Sequence, residues 1–125
     1  MLFRSCTPTP LQHALARVLL ADAGYYDRLR ADFAHKREII TLALERAGFS
    51  VYPSRSSFYL WVRIPPRFGD ATELNEFLIR EAGVAGVPGS AFMDEPERDV
   101  YMRFCFARED AMLTLAADQI VKALA

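Results

Sequence analysis

The stretch YMRFCFA, residues 101–107, decides how the rest of the chain is read. Its aromatic and apolar side chains alternate in the way that suits a pleated strand with one buried face. Met102, Phe104 and Phe106 fall on one side and read as core, while Tyr101, Arg103 and Cys105 fall on the other. An arginine between a tyrosine and a cysteine on a strand is either solvated, paired with an acid, or placed to receive an anion.

The segments around it complete a small sheet with helices. TPLQHALARVLLADAG (9–24) reads as a helix with Thr9 as cap, Pro10 at the first position and Gly24 as stop. YYDRLRADFAHKREIITLALERAG (25–48) is a longer helix with an apolar stripe through Tyr26, Leu29, Phe33, Ile40, Ala43, Leu44 and Ala47. Its charged run, Lys36 and Arg37 included, reads as a solvated face. FSVY (49–52) and FYLWVRI (58–64) read as strands, the second ended by Pro65-Pro66. DATELNEFLIREAG (70–83) is a helix with Asp70 as cap, Glu73 in capping-box position and Gly83 at its end. VAGV (84–87) reads as a short strand, PGSAF turns away from it, and MDEPERD (93–99) is an acidic surface loop. After 101–107, Asp110 is expected to cap a last helix that buries Met112, Leu115, Ala116, Gln119 and Ile120. The order α-α-β-β-α-β-β-α predicts an α+β fold with a small mixed or antiparallel sheet and helices packed on it. Its two leading helices set it apart from a plain ferredoxin-like unit.

Composition narrows the function classes. A chain of 125 residues suits one domain, and 52% hydrophobic with 25% charged residues can bury a core without staples. A net charge of −1 with interleaved signs lacks the basic stripe of a nucleic-acid binder. No apolar run reaches the ~20 residues of a membrane helix, and MLFRSCTPTP has no signal-peptide core. Cys6 and Cys105 fit no metal spacing, so a reducing, cytoplasmic setting is expected.

Among residues that can carry chemistry, Arg103 ranks first, because a guanidinium fork can hold both oxygens of a carboxylate. VPGSAF (87–92) lies at a strand exit, where loops often line sites, but it also reads as an ordinary turn. SRSS, ahead of the strand FYLW, allows close backbone approach or merely a tight bend, with Arg55 solvated. His13 and His35 lie on helices without metal-ligand partners. Cys105 reads as packing, with no histidine near it in sequence. There is no phosphate-cradling glycine motif.

Five segments in order then resemble one family. TPTPLQHALARVL, YYDRLRADFAHKREIITLALERAGF, FYLWVRI, GVAGVPGSAFMD and YMRFCFAREDAMLTLAADQI are similar to the class I/II (fold-type I) aminotransferases across nearly the whole chain. RFCFA before an acidic helix start looks most like the kynurenine, methionine and glutamine transaminase group, whose members can include cysteine-conjugate β-lyases. The resemblance implies a single domain over 1–125, the C-terminal small domain of such an enzyme, with 1–24 as a connecting helix from a large domain. It implies a homodimeric parent enzyme that uses pyridoxal 5'-phosphate to move an amino group from an amino acid to a 2-keto acid. Arg103 then matches the arginine that binds the substrate α-carboxylate. Ser57 and Phe58 (with Ser56), and Gly89, Ser90 and Phe92 (with Ala91), match segments near the substrate entrance, although the family often has glycine where Ser56 stands. The Schiff-base lysine is expected upstream, since Lys36 and Lys122 are the only lysines and neither follows the serine-rich stretch typical of it. No catalytic residue, bound cofactor or metal is expected on this chain, and it is not expected to transaminate alone. Two other readings remain: a free-standing small-molecule-binding or regulatory domain using Arg103 as anion anchor, and a structural module with Arg103 in an ion pair.

Overall fold

The computed structural model describes residues 7–21, 24–94 and 99–125. Cys6 and part of the acidic loop therefore lie outside the described residues. The chain divides into two compact units, Met1–Ala31 and Asp32–Ala125.

The first unit holds helix α1 (Thr9–Ala21) and the first turns of α2 (Tyr25–Arg46). The N–H groups of Leu11 and Gln12 donate to the Pro8 carbonyl, so α1 starts one residue earlier than the Thr9 cap expected from sequence. It ends at Ala21, before Gly24, and buries no residue: Leu11, Leu15, Val18 and Leu19 are all exposed.

The second unit is an open four-stranded sheet with helices on one face. β1 (Ser50–Val51), β2 (Tyr59–Arg63), β3 (Val87–Pro88) and β4 (Tyr101–Cys105) form the order β1-β2-β4-β3, and every neighbouring pair is antiparallel. Of the two arrangements expected, the antiparallel one is found. β2 and β4 pair along their full length, Trp61 opposite Arg103 and Val62 opposite Met102. The alternation read in residues 101–107 holds, since Met102, Phe104 and Phe106 are buried. With Leu60 and Val62 they meet Ile40, Ala43 and Leu44 of α2, Leu74 and Leu78 of α3 (Ala71–Ala82), and Leu113, Ala117, Ile120 and Leu124 of α4 (Asp110–Leu124).

α3 is bounded as its sequence requires. Asp70 Oδ1 accepts from the N–H of Thr72 at 2.6 Å and of Glu73 at 3.3 Å, and Gly83 takes the left-handed turn at φ 63° that a Cβ would disfavour.

Several expectations need correction. The third strand is Val87–Pro88 rather than 84–87. Gly86 is instead held by an N–H bond to Asn75 Oδ1 at 2.8 Å, where a Cβ would run into Met102 and Phe104. α4 is rotated from the expected stripe: Leu113, Ala117, Ile120 and Leu124 are buried, while Met112 and Leu115 are 58% exposed. Its cap position is Glu109, not Asp110, whose carboxylate is taken by Lys36. The charged run on α2 is not wholly a solvated face, because the Lys36 and Arg37 side chains both bond to other segments. Leu29 on α2 is exposed.

Candidate functional site

The sheet face turned away from α3 and α4 carries Tyr59, Trp61, Tyr101 and Arg103. Pairing sets this arrangement. Trp61 lies directly across from Arg103, and Tyr59, opposite Cys105, lies diagonal to it, within reach of a long side chain. Trp61 stacks on Tyr101 with centroids 5.7 Å apart, and Tyr52 meets Tyr101 at 6.0 Å.

The Arg103 guanidinium lies between two rings. Its Cζ is 4.1 Å from the Tyr59 centroid and 4.3 Å from the Phe92 centroid. Phe92 arrives there through the turn after β3: Gly89–Ala91 form one 3-10 turn, closed by Phe92 N–H donating to the Gly89 carbonyl at 2.9 Å. Each contact is of the kind worth ~0.5–1 kcal/mol at partly exposed sites. Among the described residues no carboxylate lies within ion-pair distance of Arg103. The structural ion pair considered for this arginine is thus not found among them.

Arg103 opens on a recess of about 370 Å³ formed by residues 52–57 with Tyr59, Trp61 and Arg103. Among the described residues no acidic side chain lines it, and Arg55 adds a second guanidinium. The wall is held by two bonds that sequence reasoning did not anticipate. Arg37 on α2 donates to the Ser54 carbonyl at 2.6 Å, and Ser54 Oγ donates to the Ser56 carbonyl at 2.7 Å. The bend then falls at Ser57, whose φ of 72° is left-handed although it is not glycine. The sequence signal for this turn toward the sheet is the place of Arg37 between Phe33 and Ile40 on the apolar stripe of α2.

The site-lining candidates separate accordingly. Ser57 and Arg103 share the recess, and Phe92 touches Arg103. Phe58 is exposed, its ring 4.4 Å from that of Tyr59. Gly89 is buried in the turn and Ser90 is exposed; neither lines the recess. Cys105, expected to pack, is exposed, because it lies on the face of β4 opposite the core.

Neither lysine lines the recess. The Lys36 ammonium bonds to Asp110 at 2.8 Å and Asp32 at 2.6 Å, and these hydrogen bonds hold its pKa above the ordinary value. That is the opposite of what an amine poised for a Schiff base needs. Lys122 is exposed in the last turn of α4. The residues present therefore fit a carboxylate ligand but not the covalent anchoring of pyridoxal phosphate. Among the described residues no cluster could hold a metal ion, and no helix is long and apolar enough to cross a membrane.

Comparison with known proteins places the sequence and the fold in one family. The sequence model of the family "Aminotransferase class I and II" matches residues 1–120. Methionine aminotransferase of Escherichia coli (strain K12) is 32% identical over 113 residues, which are 90% of this chain and 29% of that protein. The crystal structure of YbdL from Escherichia coli, reported with a methionine aminotransferase function, superposes with a TM-score of 0.79 at 31% identity, over 91% of this chain and 30% of that one. N-Succinyldiaminopimelate aminotransferase from Mycobacterium tuberculosis gives a TM-score of 0.79 at 29% identity, over 91% and 30%. The chain thus spans about 29% of the length of the first of these relatives. By its sequence over residues 1–120, the chain belongs to the class I and II aminotransferases.

Proposed function

We propose that this chain is the substrate-recognising small domain of an aminotransferase that transfers an amino group from an amino acid to a 2-keto acid. One observation carries the reading. Arg103 stands on a central strand, and among the described residues it has no acidic partner and the recess it faces is lined by no acid. A guanidinium so placed suits the one group that amino-acid and keto-acid substrates share, the α-carboxylate.

Pyridoxal phosphate, when bound to such an enzyme, supplies the electron sink for chemistry at the substrate α-carbon. The share of this chain is orientation. Two parallel N–H···O bonds from Arg103 would fix the carboxylate plane and with it the direction of the Cα–H bond, and such positioning can supply a large part of a barrier reduction. The exposed apolar side of α1 supports the reading of residues 1–24 as a connecting helix toward a larger partner domain. The intact enzyme is proposed to work as a homodimer in the cytoplasm.

In the intact enzyme, Arg103→Ala should raise KM for both substrates and lower kcat/KM by about 2–4 kcal/mol, the scale of losing a charge-assisted bidentate contact. An unchanged kcat/KM removes Arg103 from this role. A second reading, a free-standing carboxylate-binding domain without catalysis, is favoured by every described residue that lines the recess belonging to the second unit. Titrating the 125-residue chain with pyruvate separates the two. Binding in the micromolar range supports the free-standing domain, and binding no tighter than millimolar supports the part of an enzyme.

A further inference from the structure

We infer that Tyr59 and Phe92 are positioning residues: their rings grip the Arg103 guanidinium from both sides and fix the plane in which it meets a carboxylate. This rests on the reading of Arg103 as a carboxylate receiver, and it assigns work to two residues that act through that arginine. Cation–π contact occupies the two faces of a guanidinium, whereas carboxylate binding uses the N–H groups along its edge. The two interactions therefore do not compete.

With Cζ 4.1 Å from one centroid and 4.3 Å from the other, the guanidinium cannot swing far without losing contact with a ring. The rings come from independent supports. Tyr59 is locked in the β2–β4 ladder, with its neighbour Phe58 accepting from the Phe106 N–H at 3.0 Å. Phe92 is fixed by the 3-10 turn and by Trp61, whose centroid lies 5.9 Å away, edge to face. An unclamped arginine must surrender side-chain rotamer freedom when it binds, whereas a clamped one has surrendered it already. The expected signature is weaker carboxylate binding with an intact fold when either ring is removed.

The probe is 3-phenylpropionate, titrated into the intact protein at pH 7 and followed on the Arg103 Nε–Hε resonance. Tyr59→Leu and Phe92→Leu should each weaken binding about threefold to tenfold. Tyr59→Phe and Phe92→Tyr should restore it, since a ring is all that is required. In the unliganded wild type, the Nε–Hε signal should be ring-current shifted upfield and should move toward the random-coil position in each leucine variant. If Arg103→Gln binds as well as wild type, or wild type does not bind, the carboxylate reading itself fails. If Arg103→Gln loses binding while both leucine variants keep it, the clamp alone is overturned. A wild-type Nε–Hε signal at the random-coil position also overturns the clamp, and that measurement needs no variant to fold.

Discussion

At the scale of single residues, two backbone positions carry more consequence than their side chains suggest. Ser57 is held at φ 72°, where an L side chain costs on the order of 1–2 kcal/mol. Ser57→Gly should stabilise the chain by about 0.5–1 kcal/mol and Ser57→Val should destabilise it by about 1 kcal/mol, read from urea midpoints. Gly86 is constrained by space instead. A Cβ there would stand 2.7 Å from Met102 Cε and 3.1 Å from the Phe104 ring. The methionine tip can yield but the ring, packed edge-on against Phe49 at 5.8 Å, yields less, so Gly86→Ala should cost roughly 1–3 kcal/mol by the same assay. Arg103 could be singled out from one strand because alternation alone assigns its face. Its two rings could not. Tyr59 reaches it only through the β2–β4 register, and Phe92 only through a turn whose geometry nothing in VPGSAF specifies. The glycine expected from the family at Ser56 pointed to an unusual backbone, but the left-handed residue is its neighbour.

At the scale of elements, α4 is tied to α2 by Lys36, which bridges Asp32 on its own helix and Asp110 at the start of α4. The Lys36 hydrogen bond holds the Asp110 carboxyl below its ordinary 3.8, with His35, 3.9 Å away, adding a smaller pull when protonated. A carboxyl with a lowered folded pKa stabilises the fold above its unfolded value and loses that contribution as pH falls through the folded one. Lys36, held above its ordinary 10.5, contributes fully below that value and loses its contribution as pH rises through its folded pKa. Melting temperatures measured from about pH 2 to pH 5 should therefore fall less steeply in Lys36→Met than in wild type. Matching acid limbs would show that Asp110 owes nothing to Lys36. This tie also explains why the start of α4 departs from its sequence pattern. Asp110 has the side chain of an N-cap and stands where one is expected, but a cation from another helix claims it, and Glu109 takes the cap position without a side-chain bond. The α4 stripe was ambiguous for a plainer reason: Met112, Leu113, Leu115, Ala116 and Ala117 supply apolar residues on several sides, and only the sheet selects which are buried. α3 was legible at both ends because Asp70 and Gly83 each serve a local need that no distant contact alters.

At the scale of the whole molecule, the order of elements could be read from pattern, while the strand order β1-β2-β4-β3 could not, since β2 and β4 find each other across an intervening helix and strand. The core they enclose with α3 is the most sensitive part of the chain. Leu78 is fully buried among both layers, and Leu78→Ala should cost about 2–5 kcal/mol, a large share of the ~5–15 kcal/mol that usually holds a domain together. A urea midpoint within error of wild type would mean the cavity collapses without loss. The outer strands have a different consequence. β1 and β3 contribute two residues each to the ladder, and β3 includes Pro88, which has no N–H to offer. Rims so short make poor templates for recruiting a strand from another molecule, a hazard that longer, flatter edges carry. The ring-rich side of the sheet would otherwise invite copies to stick face to face, but Arg63 and Arg103 stand on it as like charges. Resistance to runaway assembly is thus built into the same strands that shape the recess.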